Sequence, residues 1–363
     1  LSKRRLGVSI YPNQSQLEND KEYLKIAHDL GFSRIFMSML EITGSTESVI
    51  NKYKSIIHFA KELNYETILD VAPIIFDKLN INYDNLQFFK DLGVDGIRLD
   101  SAFDGTKEAM LTFNPQELII EINMSNDVAY LNNILSHEAN IPYLYGCHNF
   151  YPQLGTGLSE SFFEKCSRRF RNNNIHTAAF ISSSIGSIGP WNINDGLPTL
   201  EYDRQLPIVT QAKHLFATGL IDDVIIGNAY ASKEELLELS KLDKYQTTFS
   251  ITTTANVSSL ERQIIFNNQH FRRGDINKQT IRSTEVRKKY SQRSNISHDN
   301  KEQFVRGDIV VGNDKFGKYK NELQIVLEPH YDDRKNKVGS ISDDEIFLLN
   351  YIHPWSKFKF VEV

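Results

Sequence analysis

Leu6-Gly7-Val8-Ser9-Ile10-Tyr11-Pro12-Asn13-Gln14, residues 6–14, decides between two folds. Its first five residues are a short apolar run of the kind that forms a strand buried on both faces. A doubly wound open sheet usually places a glycine-rich turn after its first strand. Tyr11-Pro12-Asn13-Gln14 supplies no such turn. Seven further runs read as strands: Arg34 to Met37, Thr67 to Val71, Gly96 to Leu99, Leu118 to Ile122, Tyr143 to Cys147, Thr177 to Ile181 and Val224 to Ile226. Between them apolar residues recur at helical spacing, as in Leu17, Leu24, Ala27 and Leu30 closed by Gly31, or Val49, Tyr53, Ile56, Ile57, Ala60 and Leu63. The last of these helices opens with Ser232 and Glu235 at capping-box spacing. Eight strand and helix pairs over this length predict an α/β fold, a parallel (β/α)8 TIM barrel.

The chain of 363 residues exceeds what one hydrophobic core usually supports, and its texture changes after Leu242. Helical periodicity gives way to strand-like runs at Thr247 to Thr252, Asp308 to Val311, Glu322 to Leu327 and Phe358 to Val361. A boundary is therefore expected between a barrel domain, 1–242, and a small mostly-β domain, 243–363. The stretch from Arg272 to Arg293 is rich in Arg and Lys, and reads either as a solvated loop face or as an anion-contacting surface.

Lys and Arg number 41 against 46 Asp and Glu, a formal net charge of −5. That balance lacks the cationic field of a general nucleic-acid binder, so no nucleic-acid partner is expected. No apolar run approaches a bilayer span, and the basic start Lys3-Arg4-Arg5 leads into an apolar run too short for a signal peptide. No membrane partner and a cytoplasmic location are expected. Cys147 and Cys166 fit neither a disulfide framework nor zinc-ligand spacing. A homo-oligomer is compatible with the chain.

In a barrel of this type, chemistry sits at the C-terminal strand ends and the loops after them. That filter selects Tyr11, Ser38, Glu41, Asp70, Asp100, Asn123, His148, Asn149, Tyr151, Glu201, Arg204 and Asn228. Several carboxylates on one rim suit glycosidic-bond hydrolysis, which needs a protonated acid at the leaving oxygen and an ionised carboxylate at the anomeric carbon. Asp70, Asp100 and Glu201 are the catalytic candidates; the competing structural reading of each is a helix cap or an ion pair. Strand alternation places Arg98 on the face of Asp100 and Glu121 on that of Asn123, predicting an Arg98–Glu121 pair inside the barrel that orients the rim carboxylates. Tyr11, Phe150, Tyr151 and Trp191 offer rings for stacking on sugars.

Other barrel chemistries lack their residues. The first strand has no HxH metal pair, no strand end supplies a Schiff-base lysine, and neither a Walker-type loop nor GxGxxG occurs. No metal and no cofactor are expected.

Several motifs together resemble a known family. They are Leu6-Gly7-Val8-Ser9-Ile10-Tyr11-Pro12, Gly96-Ile97-Arg98-Leu99-Asp100, His148-Asn149-Phe150-Tyr151-Pro152 with Thr156-Gly157-Leu158, and Gly196-Leu197-Pro198-Thr199-Leu200-Glu201 with Arg204. Ile281-Arg282-Ser283-Thr284 and Tyr319-Lys320-Asn321-Glu322-Leu323-Gln324-Ile325 extend the likeness into the second domain. The chain resembles the bacterial 6-phospho-N-acetylmuramidases over nearly its whole length. The resemblance implies a barrel followed by a cyclophilin-like β domain, acting on a phosphorylated amino-sugar disaccharide from recycled cell wall (peptidoglycan). The implied reaction cleaves N-acetylmuramic acid 6-phosphate-β-1,4-N-acetylglucosamine into its two sugars. One stretch departs from the family: Met37-Ser38-Met39-Leu40-Glu41 stands where a Ser-Leu-His-like run is usual, so no role is carried over to Glu41.

Such a substrate carries a 6-phosphate and a lactyl carboxylate, which call for cationic and backbone N–H donors. Arg204, near a helix start, is the expected phosphate contact, with backbone donors around Gly186 and Gly189. Tyr11, Asn123, His148, Asn149, Tyr151 and Asn228 are the other expected substrate contacts on the rim, with Arg282 from the second domain. The alternative reading is a non-catalytic phosphosugar-binding or regulatory protein on the same scaffold. It gains if the rim carboxylates are spent on caps and salt bridges and no cleft stays open.

Overall fold

The computed structural model describes residues 3–39, 45–79, 81–99 and 101–363. The chain divides into two compact units, 1–242 and 243–363. In the first, β1 (Arg5–Ile10), β2 (Arg34–Met39), β3 (Glu66–Val71), β4 (Gly96–Leu99), β5 (Ile119–Asn123), β6 (Leu144–Cys147), β7 (His176–Ile181) and β8 (Asp223–Ile226) form a closed parallel barrel, each strand beside its sequence neighbour and β8 beside β1. Outward side chains such as Val8, Ile35, Met37, Ile97 and Ile122 join the core under the helices. The helix Leu17–Asp29 buries Tyr23, Leu24 and Ala27 against them. It stops as expected at Gly31, whose φ of +85° suits a residue without Cβ. The Ser232–Glu235 capping box forms in both directions.

The strands begin one residue earlier than the apolar runs at Arg5, Glu66, His176 and Asp223, because a strand defined by hydrophobicity is clipped where its inward residue is polar. These residues plug the N-terminal end of the barrel. Arg5 donates to Asp223 at 2.9 and 2.7 Å and to Glu66 at 2.8 Å, and His176 Nε2 lies 2.7 Å from Asp223 Oδ2. Arg34 Nη2 donates to Glu121 Oε2 at 2.5 Å, both side chains wholly buried, and Arg34 Nε lies 3.4 Å from Asp223. Burial alone would raise the Asp223 carboxyl, but His176 and Arg5 outweigh it and hold it far below the ordinary carboxylate range. Above the plug, Phe36, Cys147, Ala178, Phe180 and Ile225 fill the lumen.

The second unit is a seven-stranded sheet of β9 (Thr247–Thr253), β10 (His270–Phe271), β11 (Thr280–Ser283), β12 (Asp308–Gly312), β13 (Leu323–Val326), β14 (Lys335–Ile341) and β15 (Lys357–Glu362). Its order is β10-β15-β9-β14-β12-β13-β11, antiparallel except for β15 beside β9. The strands not anticipated, β10, β11 and β14, are short or rich in Lys, Arg and Asn, so no apolar alternation marks them.

The plug generates a stability test. Arg34→Met leaves the Glu121 carboxylate buried without its partner and is expected to cost about 3–5 kcal/mol in urea unfolding. The double change Arg34→Met with Glu121→Met is expected to recover part of that loss. A single variant within 1 kcal/mol of the parent, on the order of the background for surface changes, would show that this pair does not constrain the barrel.

Candidate active site

Register places Ser38 beside Asp70 and Asp70 beside Arg98 at the C-terminal end of the barrel, with the three side chains in one inward row. Arg98 Nη1 donates to Asp70 Oδ1 at 2.9 Å, and its Nη2 donates to Asn149 Oδ1 at 2.5 Å. The Asp70 and Arg98 side chains are 7% and 5% exposed, so this is a desolvated ion pair at the barrel mouth. Burial disfavours the Arg98 charge, but Asp70 foremost among its neighbours pushes its pKa above the ordinary arginine value. The expected Arg98–Glu121 pair does not form. Although the two are register partners, Arg98 reaches the rim while Glu121 takes Arg34 in the plug. Inside a closed barrel a long side chain has partners across the lumen as well as on the next strand.

Around this pair the rim is built by short polar contacts. Asn149 N–H donates to Ser125 Oγ at 2.9 Å, and Asn149 O accepts from Thr199 Oγ1 at 2.9 Å, which fixes the amide against Arg98. Asn123 Oδ1 accepts from the Ser125 N–H at 2.8 Å, an Asx turn that sets the start of the loop after β5. Ser125 is a site-shaping residue that the strand-end filter passes over; its signal in the sequence is the Asn-x-Ser spacing. Tyr151 is half-buried beside Ser125 and Asn149, and burial raises its phenol. Tyr11 is buried and its hydroxyl donates to Gly227 O, tying the ends of β1 and β8 together. Ser38 Oγ and Arg98 Nε are buried without a hydrogen-bond partner among the described residues. Such orphaned groups beside a carboxylate suit a hydroxyl-rich ligand.

Three expected contacts are spent on structure instead. His148 is wholly buried, its Nδ1 3.0 Å from Ser125 Oγ and its Nε2 2.8 Å from Ser167 Oγ, with its ring stacked on Phe163. Burial and then Arg98 hold its pKa at about 3, so the ring is neutral and out of reach of a substrate. Asn228 donates to Ser183 O at 2.9 Å and Gly186 O at 2.7 Å and accepts from Ser183 N–H, clamping the loop after β7. Gly186 N–H, an expected phosphate donor, is used by Ser183 Oγ.

Glu201 accepts from Arg204 Nε at 2.9 Å and Nη2 at 2.6 Å, and from the N–H groups of Gly155 at 2.8 Å and Gly157 at 2.7 Å. Arg204 foremost, and then the two backbone donors, hold its pKa at about 2 against the cost of burial. That is the setting of a permanent anion rather than a proton donor. Arg204 Nη1 also donates to the carbonyls of Tyr151, Asp195 and Gly196, and its side chain is 1% exposed. The guanidinium is therefore not presented to a phosphate. The pair braces the loops after β6 and β7.

Phe150 packs edge-on against Phe36 and Phe180 at 5.9 and 5.0 Å and lies 6.2 Å from Trp191, which is half exposed. This aromatic shelf on the rim presents one ring to solvent. Asp100 and Glu41 lie outside the described residues. Arg282 stands on β11 of the second unit and donates to Glu322 at 2.7 and 3.1 Å. Among the described residues no group of three His, Cys, Asp or Glu is placed to hold a metal, and no helix is long and apolar enough to cross a membrane.

Models of the N-terminal and C-terminal parts of 6-phospho-N-acetylmuramidase match residues 6–241 and 247–361. An uncharacterised protein from B. cereus is 50% identical and superposes with a TM-score of 0.92, over 99% of this chain and 100% of that one. A conserved Enterococcus faecalis protein of unknown function shares the fold at 22% identity and a TM-score of 0.72, over 99% of this chain and 96% of that one. No curated protein matches the sequence.

The buried imidazole yields a pH test. The His148 pKa is about 3 in the folded chain, below the ordinary value of 6.5, so the unfolded chain takes up its proton first. This contribution to stability is complete above the unfolded pKa and is lost as pH falls from there towards 3, at up to about 1.4 kcal/mol per pH unit. Urea unfolding between pH 7 and pH 4.5 is expected to show a shallower acid slope for His148→Gln than for the parent. Equal slopes would mean that the ring is hydrated and titrates normally.

Proposed function

Because the chain belongs to the 6-phospho-N-acetylmuramidase family, we propose that it hydrolyses the β-1,4 bond of N-acetylmuramic acid 6-phosphate-N-acetylglucosamine and releases the two sugars. The observation that carries this reading is the desolvated Asp70–Arg98–Asn149 chain at the barrel mouth. A carboxylate there is fixed in direction by a cation that is itself fixed by an amide, the pre-organisation that acid–base chemistry on a glycosidic oxygen needs. Asp100 is the proposed second carboxylate, since in the sequence it comes two residues after Arg98, the partner of Asp70. One of the two protonates the leaving oxygen. The other, ionised, either attacks the anomeric carbon or takes a proton from the incoming water, and separations of about 5–5.5 Å or about 6.5–9.5 Å distinguish these routes. The aromatic shelf of Phe150 and Trp191 supports a sugar ring, and Ser38 Oγ and Arg98 Nε supply hydroxyl contacts. Glu201 and Arg204 act in this scheme by holding the loops.

The test is an assay of the purified chain on the disaccharide with and without its 6-phosphate, with product anomers followed by NMR. The phosphorylated compound is expected to be the better substrate by orders of magnitude, and Asp70→Asn and Asp100→Asn to lower kcat by about 10^2-fold or more, as loss of an acid or base does. Glu201→Gln is expected to lower the melting temperature while keeping kcat much closer to the parent. No cleavage of either compound, with the phosphorylated one still bound, would favour a binding protein. Near-parent turnover of both Asp variants would move the catalytic pair elsewhere.

A further inference from the structure

The second unit contains a buried carboxylate with more cations than it can neutralise. Glu322, wholly buried, accepts from Arg282 Nε at 2.7 Å and Nη2 at 3.1 Å, from Arg287 Nη1 at 2.6 Å and from Gln324 Nε2 at 2.9 Å. Two guanidinium groups on one carboxylate leave one positive charge in surplus. Both groups lie over the Tyr319 ring, at 5.5 and 4.9 Å from its centre, which fixes their planes. Arg282 Nη1 and Arg287 Nε and Nη2 find no acceptor among the described residues, and the two side chains remain 23% and 20% exposed. The unspent donors therefore sit at the edge of solvent, already oriented.

A second feature independently points to a ligand. Gln324 is the register partner of Arg282 across β13 and β11, so their side chains share a face of the sheet. With its Nε2 committed to Glu322, its Oε1 is buried and has no donor. On the same sheet Lys335, nearly buried, meets His330 Nε2 at 3.1 Å and has Asp332 Oδ2 at 3.7 Å as its nearest carboxylate oxygen. Surplus forked donors next to an orphaned acceptor suit a ligand with an anionic oxygen cluster and a neighbouring hydroxyl.

We propose that Arg282, Arg287 and Gln324 form a binding site for a sugar phosphate in the second unit, the guanidinium groups taking the phosphomonoester and Gln324 Oε1 a sugar hydroxyl. Glu322 is the positioning residue that holds both arginines ready. The site is distinct from the rim residues, and it rests on the hydrolase reading only for the choice of a sugar phosphate as ligand.

Calorimetric titration of the full chain with inorganic phosphate, N-acetylglucosamine 6-phosphate and N-acetylglucosamine tests it without measuring hydrolysis, so a chain that cleaves nothing still gives an answer. The sugar phosphate is expected to bind at least 5-fold more tightly than phosphate, and the unphosphorylated sugar more weakly than either. Arg282→Gln and Arg287→Gln are each expected to weaken both phosphates at least 10-fold, while Gln324→Leu brings the sugar phosphate down to the affinity of inorganic phosphate. Arg293→Gln, which removes an arginine bonded through its side chain to Gln263, is expected to change nothing. Parent-like affinity in folded Arg282 and Arg287 variants, or an equal loss in Arg293→Gln, would overturn the proposal. Should the arginine variants not fold, phenylglyoxal modification of the parent mapped by peptide mass decides it: phosphate protects Arg282 and Arg287 if the site exists, and leaves their labelling unchanged if it does not.

Discussion

An ionised side chain inside a closed eight-stranded barrel has no water to turn to, and the first unit is organised by that constraint. Every second residue of each strand points into the lumen. In this chain several of those residues are charged: Arg5, Arg34, Glu66, Glu121 and Asp223 at one end, and Asp70 and Arg98 at the other. Desolvation of such groups costs more than hydrophobic filling would, and pairing offsets it only when the geometry is close. Neither end satisfies it completely: among the described residues Arg34 Nε and Glu121 Oε1 in the plug, like Arg98 Nε and Ser38 Oγ at the mouth, are buried without a hydrogen-bond partner.

Period and strand length made the barrel legible, because strands buried on both faces read as continuous apolar runs whatever fills the lumen. The same rule explains the errors at strand starts, where Arg5, Glu66, His176 and Asp223 interrupt hydrophobicity without interrupting the strand. Alternation also assigns faces correctly: Arg98 and Glu121 do point inward. It cannot assign partners, since an inward charge selects among several strands, and Glu121 bonds Arg34 from β2 rather than Arg98 beside it. Position after a strand selected the rim residues but not their roles. His148 passes the filter and then turns away from the mouth to Ser125 and Ser167. Glu201 and Arg204 are three residues apart on a tight turn, a spacing that favours pairing with each other before any ligand.

That local pairing shapes the rim. One guanidinium gathers the carbonyls of Tyr151, Asp195 and Gly196, and its partner carboxylate gathers the N–H groups of Gly155 and Gly157. The loops after β6 and β7 are thereby held as one body. Asn149 and Phe150 precede this brace in the loop after β6, and Trp191 stands in the loop after β7. Asn149 itself is held by Ser125 and Thr199, so the ion pair supports the loop that carries it without touching the row.

Stoichiometry separates the arginine sites that build from the one that is equipped to bind. Arg204 and Glu201 match one to one, with the remaining donors of Arg204 Nη1 spent on carbonyls, so no charge is left to attract a ligand. Arg98 and Asp70 also match, and the polar atoms left over there, Arg98 Nε and Ser38 Oγ, are single isolated groups suited to hydroxyls. Around Glu322 two arginines share one carboxylate at the edge of solvent. An unbalanced charge held at that edge is weakly screened and already oriented, which makes it costly to keep and effective at recruiting an anion.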